Sequence, residues 1–94
     1  MKFSFIDTNV IIRFLIGDQK EQHAQAEIWF SEAENGKRKI IFSSLVVAET
    51  VFVLESFYKK TRAWIVQIMK VLISQRWLVI EERGVLLNTL ESYA

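Results

Sequence analysis

The sequence contains no cysteine and no proline among its 94 residues, and it contains a single histidine. Without cysteine, a disulfide framework, a thiolate metal site and a cysteine nucleophile are all excluded. Any metal ion would therefore have to be held by oxygen atoms or by His23. We assign no role to His23, because it falls on the polar side of a predicted helix, with Glu27 four residues further on.

A charge imbalance and long uncharged apolar runs are also missing. The formal net charge is +1, which says little about binding partners. No uncharged apolar stretch reaches the roughly 18 residues that a membrane-spanning helix needs, because Glu49 and Lys70 interrupt the two longest ones. The first residues do not have the composition of a signal peptide, so we expect a cytoplasmic protein that does not enter a membrane.

Apolar residues are abundant instead, at 51% of the chain, with seven phenylalanines and three tryptophans. This composition is too apolar for a disordered chain and predicts one packed domain over residues 1–94, near the lower end of sizes that fold unaided. We expect Trp29, Trp64 and Trp77 to belong to its core.

Hydrophobic patterns predict the order of the secondary structure. Short apolar runs predict strands at 3–7, 40–42 and 77–80, and longer periodic segments predict helices at 9–16, 19–34, 45–58, 62–75 and 85–93. The valines of 45–58 favour a strand locally, but the length of the segment favours a helix. In 19–34 we place Ala24, Ile28 and Phe30 on the apolar face. The β-α-α-β-α-α-β-α order predicts an α/β fold with three layers, αβα, around a short parallel sheet.

Asp7 ends the first predicted strand, and Thr8 and Asn9 lead directly into a helix. This order places the carboxylate at the carboxyl edge of a sheet, where open α/β folds bind ligands. A carboxylate there is a natural ligand for a hard cation. The alternative is that Asp7 only caps the helix, since Asp, Thr and Asn are all favourable capping residues.

Glu49 is the only charged residue between Leu45 and Leu54. An unpaired carboxylate buried in such a segment is costly, so we expect a partner for it. Its position shortly after the second strand also indicates the carboxyl edge of the sheet. If the first two strands are parallel neighbours, Asp7 and Glu49 converge, and a shared proton or a divalent cation would relieve their repulsion. The alternative is that Glu49 points to solvent near a helix N-terminus.

Two short basic clusters are candidates for contacts with RNA phosphates. The alternative, which is the more common one for such residues, is that they are solvent-exposed residues of turns. They consist of Lys37, Arg38 and Lys39 and of Lys59, Lys60 and Arg62. The remaining acids are interpreted as solvated surface charges, namely Glu55, Glu81, Glu82 and Glu91.

Residues 7–15, 43–49 and 53–58 together resemble the N-terminal two-thirds of PIN domains, particularly VapC-type toxins. The resemblance implies a ribonuclease that depends on Mg²⁺ or Mn²⁺, with RNA as substrate and an antitoxin protein as partner. It places the first two acids of the family's metal cluster at Asp7 and Glu49, and supporting polar residues at Thr8, Asn9 and Ser44.

The resemblance also implies a domain that is incomplete at its C-terminal end. The family has a further acid or two and two more strands beyond the point that this sequence reaches. We therefore expect a weak or absent metal site, little or no nuclease activity, and a first strand left as an open sheet edge that favours homo-oligomers. The alternative function is a catalytically dead interaction module that binds an antitoxin-like protein or itself. An unrelated phospho-acceptor or nucleotide-binding domain is disfavoured, because the sequence has no glycine-rich phosphate loop.

Overall fold

A computed structural model describes residues 2–93, and its elements follow the predicted order. They are β1 (Lys2–Phe5), α1 (Thr8–Ile16), α2 (Lys20–Glu34), β2 (Arg38–Phe42), α3 (Ser44–Ser56), α4 (Arg62–Ile73), β3 (Leu78–Ile80) and α5 (Arg83–Tyr93). The valine-rich segment is helical, as its length predicted. Within the described range, no helix is both long enough and apolar enough to cross a membrane.

The three strands form one parallel sheet in the order β1-β2-β3, so the predicted α/β class and parallel pairing are confirmed. Since the strands are parallel, their C-terminal ends meet at the same edge, which we call the carboxyl edge. Asp7 follows β1 there, Ser43 follows β2, and Glu81 follows β3. The prediction that the first two strands are neighbours is correct.

The core lies on one face of the sheet, so residues 2–93 form two layers, and the predicted third layer of the αβα arrangement is not found among them. Ile40, Phe42 and Leu78 point to this face and are almost fully buried. Both chain crossovers, from β1 to β2 and from β2 to β3, step in the same direction, and right-handed connections then place their helices on the same side. The helices complete a single core cluster, to which α1, α2, α3, α4 and α5 contribute Ile11, Phe30, Leu54, Met69 and Leu90.

The opposite face of the sheet, which we call the open face, remains accessible. The strand register aligns Phe5 with Ile41 and Ile41 with Val79, so these side chains share this face with Phe3. Phe3 is 69% exposed, Phe5 is 81% exposed and Val79 is 42% exposed. One face of β1 is therefore accessible, and within residues 2–93 the strand lies at the edge of the sheet.

Local sequence signals explain where the helices begin and end. The side chains of Asp7, Ser43 and Thr61 each accept a hydrogen bond from the backbone N–H three residues further on, at the starts of α1, α3 and α4. Gly17 ends α1 in the left-handed conformation, with φ 69°, and its N–H donates to the carbonyl of Arg13. These caps satisfy backbone groups that the ends of helices leave without partners.

The predicted apolar face of α2 is partly wrong. Phe30 is buried as predicted, but its buried neighbours on the helix are Ala26 and Ala33. Ala24 and Ile28 face the solvent. The helix therefore buries two small residues beside Phe30, and the larger Ile28 lies on the outer side.

Candidate functional site

Asp7 lies exposed at the carboxyl edge, between β1 and α1. Its Oδ1 accepts a hydrogen bond of 3.0 Å from the backbone N–H of Val10, so the capping interaction predicted as the alternative is present. This bond engages one carboxylate oxygen and fixes the orientation of the group. Among the described contacts, the other oxygen has no hydrogen-bond partner. Asn9 is exposed in the first turn of the same helix.

Thr8 joins the start of α1 to Glu49. Its hydroxyl donates a hydrogen bond of 3.1 Å to Oε2 of Glu49 across 41 positions of sequence. Because Thr8 directly follows Asp7, this contact places the Glu49 carboxylate beside the turn that carries Asp7. The two acids therefore belong to the same part of the carboxyl edge, in the second turn of α3 and at the cap of α1.

Glu49 points to solvent, as the alternative predicted. Val47, Thr50 and Leu54 form the buried side of α3, at helical spacing. Glu49 lies on the other side and is exposed, as are Leu45 and Phe52 on the same helix. The exposed side of α3 is itself largely apolar, and Glu49 therefore appears in the sequence as an isolated charge.

Asp7 and Glu49 have the type of side chain that binds a hard cation, but two such side chains are fewer than a complete site needs. Asp7 and Glu49 offer carboxylate oxygens, which Mg²⁺ and Mn²⁺ prefer. Within residues 2–93, however, no group of three or more acidic, histidine or cysteine side chains is arranged to hold a metal ion. Magnesium is commonly bound through one or two carboxylates together with waters and substrate phosphates. The two acids therefore fit part of such a site.

Glu81 is a third acid at the carboxyl edge, and sequence reasoning treated it as a solvated surface charge. It directly follows β3, and its Oε1 accepts two hydrogen bonds from Ser44, of 2.7 Å from the hydroxyl and 3.1 Å from the backbone N–H. These bonds, first from the hydroxyl and then from the backbone, lower the pKa of Glu81. Its position after a strand is the same signal that identified Asp7.

Ser44 is therefore engaged with Glu81. A carboxylate at the first turn of α3 also interacts favourably with the positive end of the helix dipole. The predicted supporting residue Ser44 thus ties the carboxyl ends of β2 and β3 together, and the preceding Ser43 is the residue that caps α3.

The first basic cluster lies at the far end of the sheet. Arg38 begins β2, so Lys37 to Lys39 occupy the edge opposite the carboxyl edge. The Arg38 side chain is only 12% exposed and pairs with Glu32 at 3.3 Å. It also donates a hydrogen bond of 2.7 Å to the hydroxyl of Ser4, and it stacks on the ring of Trp29. Arg38 is therefore a structural residue that joins α2 to the sheet.

The second basic cluster follows the C-terminal end of α3. This helix begins at the carboxyl edge and spans 13 residues, or about 20 Å, so Lys59, Lys60 and Arg62 lie well away from Asp7. Lys60 lies over the ring of Trp64 at 4.9 Å. Arg62 lies 3.4 Å from Glu55. Lys59 remains exposed.

Comparison with known proteins agrees with this geometry. No curated protein and no solved structure matches the chain. The family model that does match is described as the PIN domain, and it covers residues 4–88. That range includes the C-terminal end of every strand and the three acids of the carboxyl edge. PIN domains suggest a nuclease-type function, and they generally depend on divalent metal ions and bind RNA. With this match over most of its length, the chain belongs to the PIN domain family.

Proposed function

We propose that the chain is a toxin-type PIN ribonuclease domain that acts on RNA in the cytoplasm and is held in check by an antitoxin protein. In this proposal Asp7 and Glu49 would hold Mg²⁺ or Mn²⁺. Thr8 positions Glu49, and Asn9 and Ser44 are polar residues that support the surrounding turns.

The hydrogen bond from Thr8 to Glu49 is the observation that supports this proposal best. It links the second turn of α3 to the residue directly after Asp7, in a chain whose PIN domain suggests a nuclease-type function. Both carboxylates are exposed, so an RNA phosphate can approach them from solvent at the carboxyl edge.

When bound, the metal ion would supply Lewis acidity and a water of lowered pKa for phosphodiester hydrolysis. The protein contributes the placement of its ligands. The backbone N–H of Val10 orients the Asp7 carboxylate, and the Thr8 hydroxyl orients the Glu49 carboxylate. Fixed ligands lose little conformational freedom on binding, which favours the metal complex.

With only two carboxylates, the proposed site binds metal weakly, and we expect little or no cleavage by this chain alone. The basic clusters lie far from the two acids. Their exposed members Lys37, Lys39, Lys59 and Arg62 could therefore contact only flanking parts of a bound RNA, through its phosphates.

The second candidate function is an interaction module without nuclease activity, which binds an antitoxin-like protein or a second copy of itself. The exposed apolar side chains Leu45, Phe52 and Phe57 favour it, because large exposed apolar patches commonly mark interaction surfaces. We also expect the chain to associate with itself through the open edge of its sheet.

Manganese binding and RNA cleavage test the proposal together. Mn²⁺ is titrated into the chain by calorimetry, and cleavage of a labelled single-stranded RNA is followed in the same buffer. Glu49→Gln removes the charge but keeps an oxygen for the Thr8 hydroxyl. Glu21→Gln, at an exposed acid in the first turn of α2, is the matched control.

We expect weak Mn²⁺ binding that drops at least about tenfold in Glu49→Gln and is unchanged in Glu21→Gln. Any Mn²⁺-dependent cleavage should disappear with the same variant. Equal Mn²⁺ binding by the wild type and Glu49→Gln would contradict the proposed site. No binding by the wild type at millimolar Mn²⁺ would favour the interaction module.

A further inference from the structure

We propose that Glu81 is a positioning residue for the Glu49 carboxylate, which it holds in place through Ser44 and the first turn of α3. This inference rests on the proposed function, because the placement of Glu49 matters for a metal site only if Glu49 is a ligand. The contacts themselves are present without metal, so the placement of Glu49 can be measured separately from metal binding.

The end of the sheet fixes the position from which the Glu81 side chain starts. The backbone N–H of Glu81 donates to the carbonyl of Phe42, the last residue of β2, at 3.1 Å. From there, Oε1 of Glu81 accepts the hydrogen bonds of 2.7 Å and 3.1 Å from the hydroxyl and the backbone N–H of Ser44. Glu81 therefore contacts the chain on both sides of the connection from β2 to α3. This arrangement fixes Ser44 relative to the sheet.

Little of the first turn of α3 is buried. Leu45 is 67% exposed, Ser44 and Val46 are only partly buried, and the buried residues of the helix begin after this turn. The hydrogen bond from the N–H of Val46 to Ser43 caps the helix but does not attach it to another part of the sheet. In the described part of the chain, the side-chain hydrogen bonds that attach this turn to another strand end are therefore those with Glu81.

Ser44 and Glu49 are held from different sides of α3. They are five residues apart, which corresponds to about 140° around a helix and about 7.5 Å along it. Ser44 bonds to the residue that follows β3, and Glu49 bonds to Thr8 beyond the end of β1. Because β2 lies between these two strands, the two contacts restrain the start of α3 in opposite directions.

The hydrogen bond from Thr8 to Glu49 is sensitive to the position of α3. Its length is 3.1 Å, whereas hydrogen bonds from hydroxyl groups rarely exceed about 3.0 Å. A displacement of the helix by about 0.5 Å away from Thr8 therefore breaks this bond. Without its attachment to Glu81, the exposed first turn can move by such an amount. The Glu49 carboxylate then loses its fixed orientation beside the turn of Asp7.

The carboxyl-carbon resonance of Glu49, recorded by carbon NMR without metal, tests the placement. Thr8→Val removes the hydroxyl group and defines the resonance of a Glu49 carboxylate that lacks this bond. Glu81→Ala removes the acceptor of the Ser44 hydrogen bonds and should move the resonance most of the way to that value. Glu81→Gln keeps an acceptor oxygen, so the resonance should stay at the wild-type value. The control Glu21→Ala, at an exposed acid of α2, should also leave it unchanged.

A second variant keeps the test valid if the first one does not fold, which circular dichroism checks. Ser44→Ala removes the shorter of the two hydrogen bonds to Glu81 from the side of the helix. It should shift the Glu49 resonance in the same direction as Glu81→Ala. A Glu49 resonance at the wild-type value in the folded variants, Glu81→Ala or Ser44→Ala, overturns the proposal.

Manganese calorimetry connects this placement to the proposed function. Loss of a residue that orients a metal ligand weakens metal binding by about 10–100-fold, and Glu81 acts through the helix, so we expect about tenfold weaker Mn²⁺ binding in Glu81→Ala. Glu81→Gln should bind nearly as well as the wild type. Equal losses in the two variants would make Glu81 a ligand instead, and no loss in either would mean that its contact with Ser44 does not affect the site; both results overturn the proposal. A wild type that binds no Mn²⁺ would count against the metal site, and the carbon resonance would then decide alone whether Glu81 positions Glu49.

Discussion

Asp7 has two separable roles in our proposals, and a pair of substitutions distinguishes them. Its Oδ1 caps α1 through the N–H of Val10, and its carboxylate would be a metal ligand. Asn is as good an N-cap as Asp, whereas Ala cannot cap. Asp7→Asn therefore keeps the cap and removes the negative charge, and Asp7→Ala removes both.

The expected stabilities without metal follow from the capping geometry. Asp7→Ala should cost about 1 kcal/mol of the free energy of unfolding, which lowers the melting temperature of a domain of this size by about 4–8 °C. Asp7→Asn loses only the interaction of a charge with the helix dipole, about 0.3–1 kcal/mol. Relief of repulsion with the nearby Glu49 carboxylate acts in the opposite direction. We therefore expect Asp7→Asn to melt close to the wild type.

Manganese should separate the wild type from both variants. If the site has a dissociation constant on the order of 1 mM, about 10 mM Mn²⁺ stabilises the wild type by about 1.4 kcal/mol. Neither Asp7→Asn nor Asp7→Ala should show this gain. The wild type should therefore melt several degrees higher with Mn²⁺, and the variants should not.

Thermal melts by circular dichroism, with and without Mn²⁺, measure both effects. Equal Mn²⁺ stabilisation of the wild type and Asp7→Asn would refute a ligand role for the carboxylate and leave Asp7 as a cap alone. An Asp7→Ala protein that melts with the wild type in the absence of metal would refute the capping argument.

Three other predictions concern the fold around the site. Leu54→Ala, at a fully buried position, should destabilise by about 2–5 kcal/mol in urea unfolding. Hydrogen bonds from Ser44 lower the pKa of Glu81. The stabilisation from these bonds is therefore present above the ordinary carboxyl pKa and is lost as the pH falls through the lowered pKa. In Glu81→Gln the free energy of unfolding should depend less on pH in that range. Tyr93→Phe removes the 2.6 Å hydrogen bond from the phenol to Glu55, and hydrogen exchange should then show faster opening of α5 than in the wild type.

Much of the fold follows from the sequence because its local signals agree with one another. Asp7, Ser43 and Thr61 are capping residues in front of apolar periodic segments, and each begins a helix. Gly17 ends α1 where its left-handed conformation is needed. Where capping residue, periodicity and stop signal coincide, few alternatives remain.

The errors arise where tertiary packing selects a helix face that hydrophobicity does not. Ala26 is buried and the more apolar Ile28 is exposed, so the buried side of α2 is set by its neighbours in the fold and not by the hydrophobicity of each residue. Glu49 looked buried because its sequence neighbours are apolar, yet Leu45 and Phe52 beside it on α3 are exposed as well. Periodicity cannot assign a face when nearly every position of a helix is apolar.

The three acids at the carboxyl edge differ in how far helix capping explains their hydrogen bonds. The ends of β1 and β3 each carry an acid that satisfies backbone N–H groups of a helix, Asp7 for α1 and Glu81 for α3. Capping alone would account for both. Glu49 is different, because it lies in the second turn of α3, where the backbone N–H groups already have partners within the helix. Its hydrogen bond to Thr8 satisfies no helix end, and it orients an exposed carboxylate towards the turn of Asp7. Among the acids at this edge, Glu49 is therefore the residue whose placement capping does not explain, and the metal-site proposal depends on it.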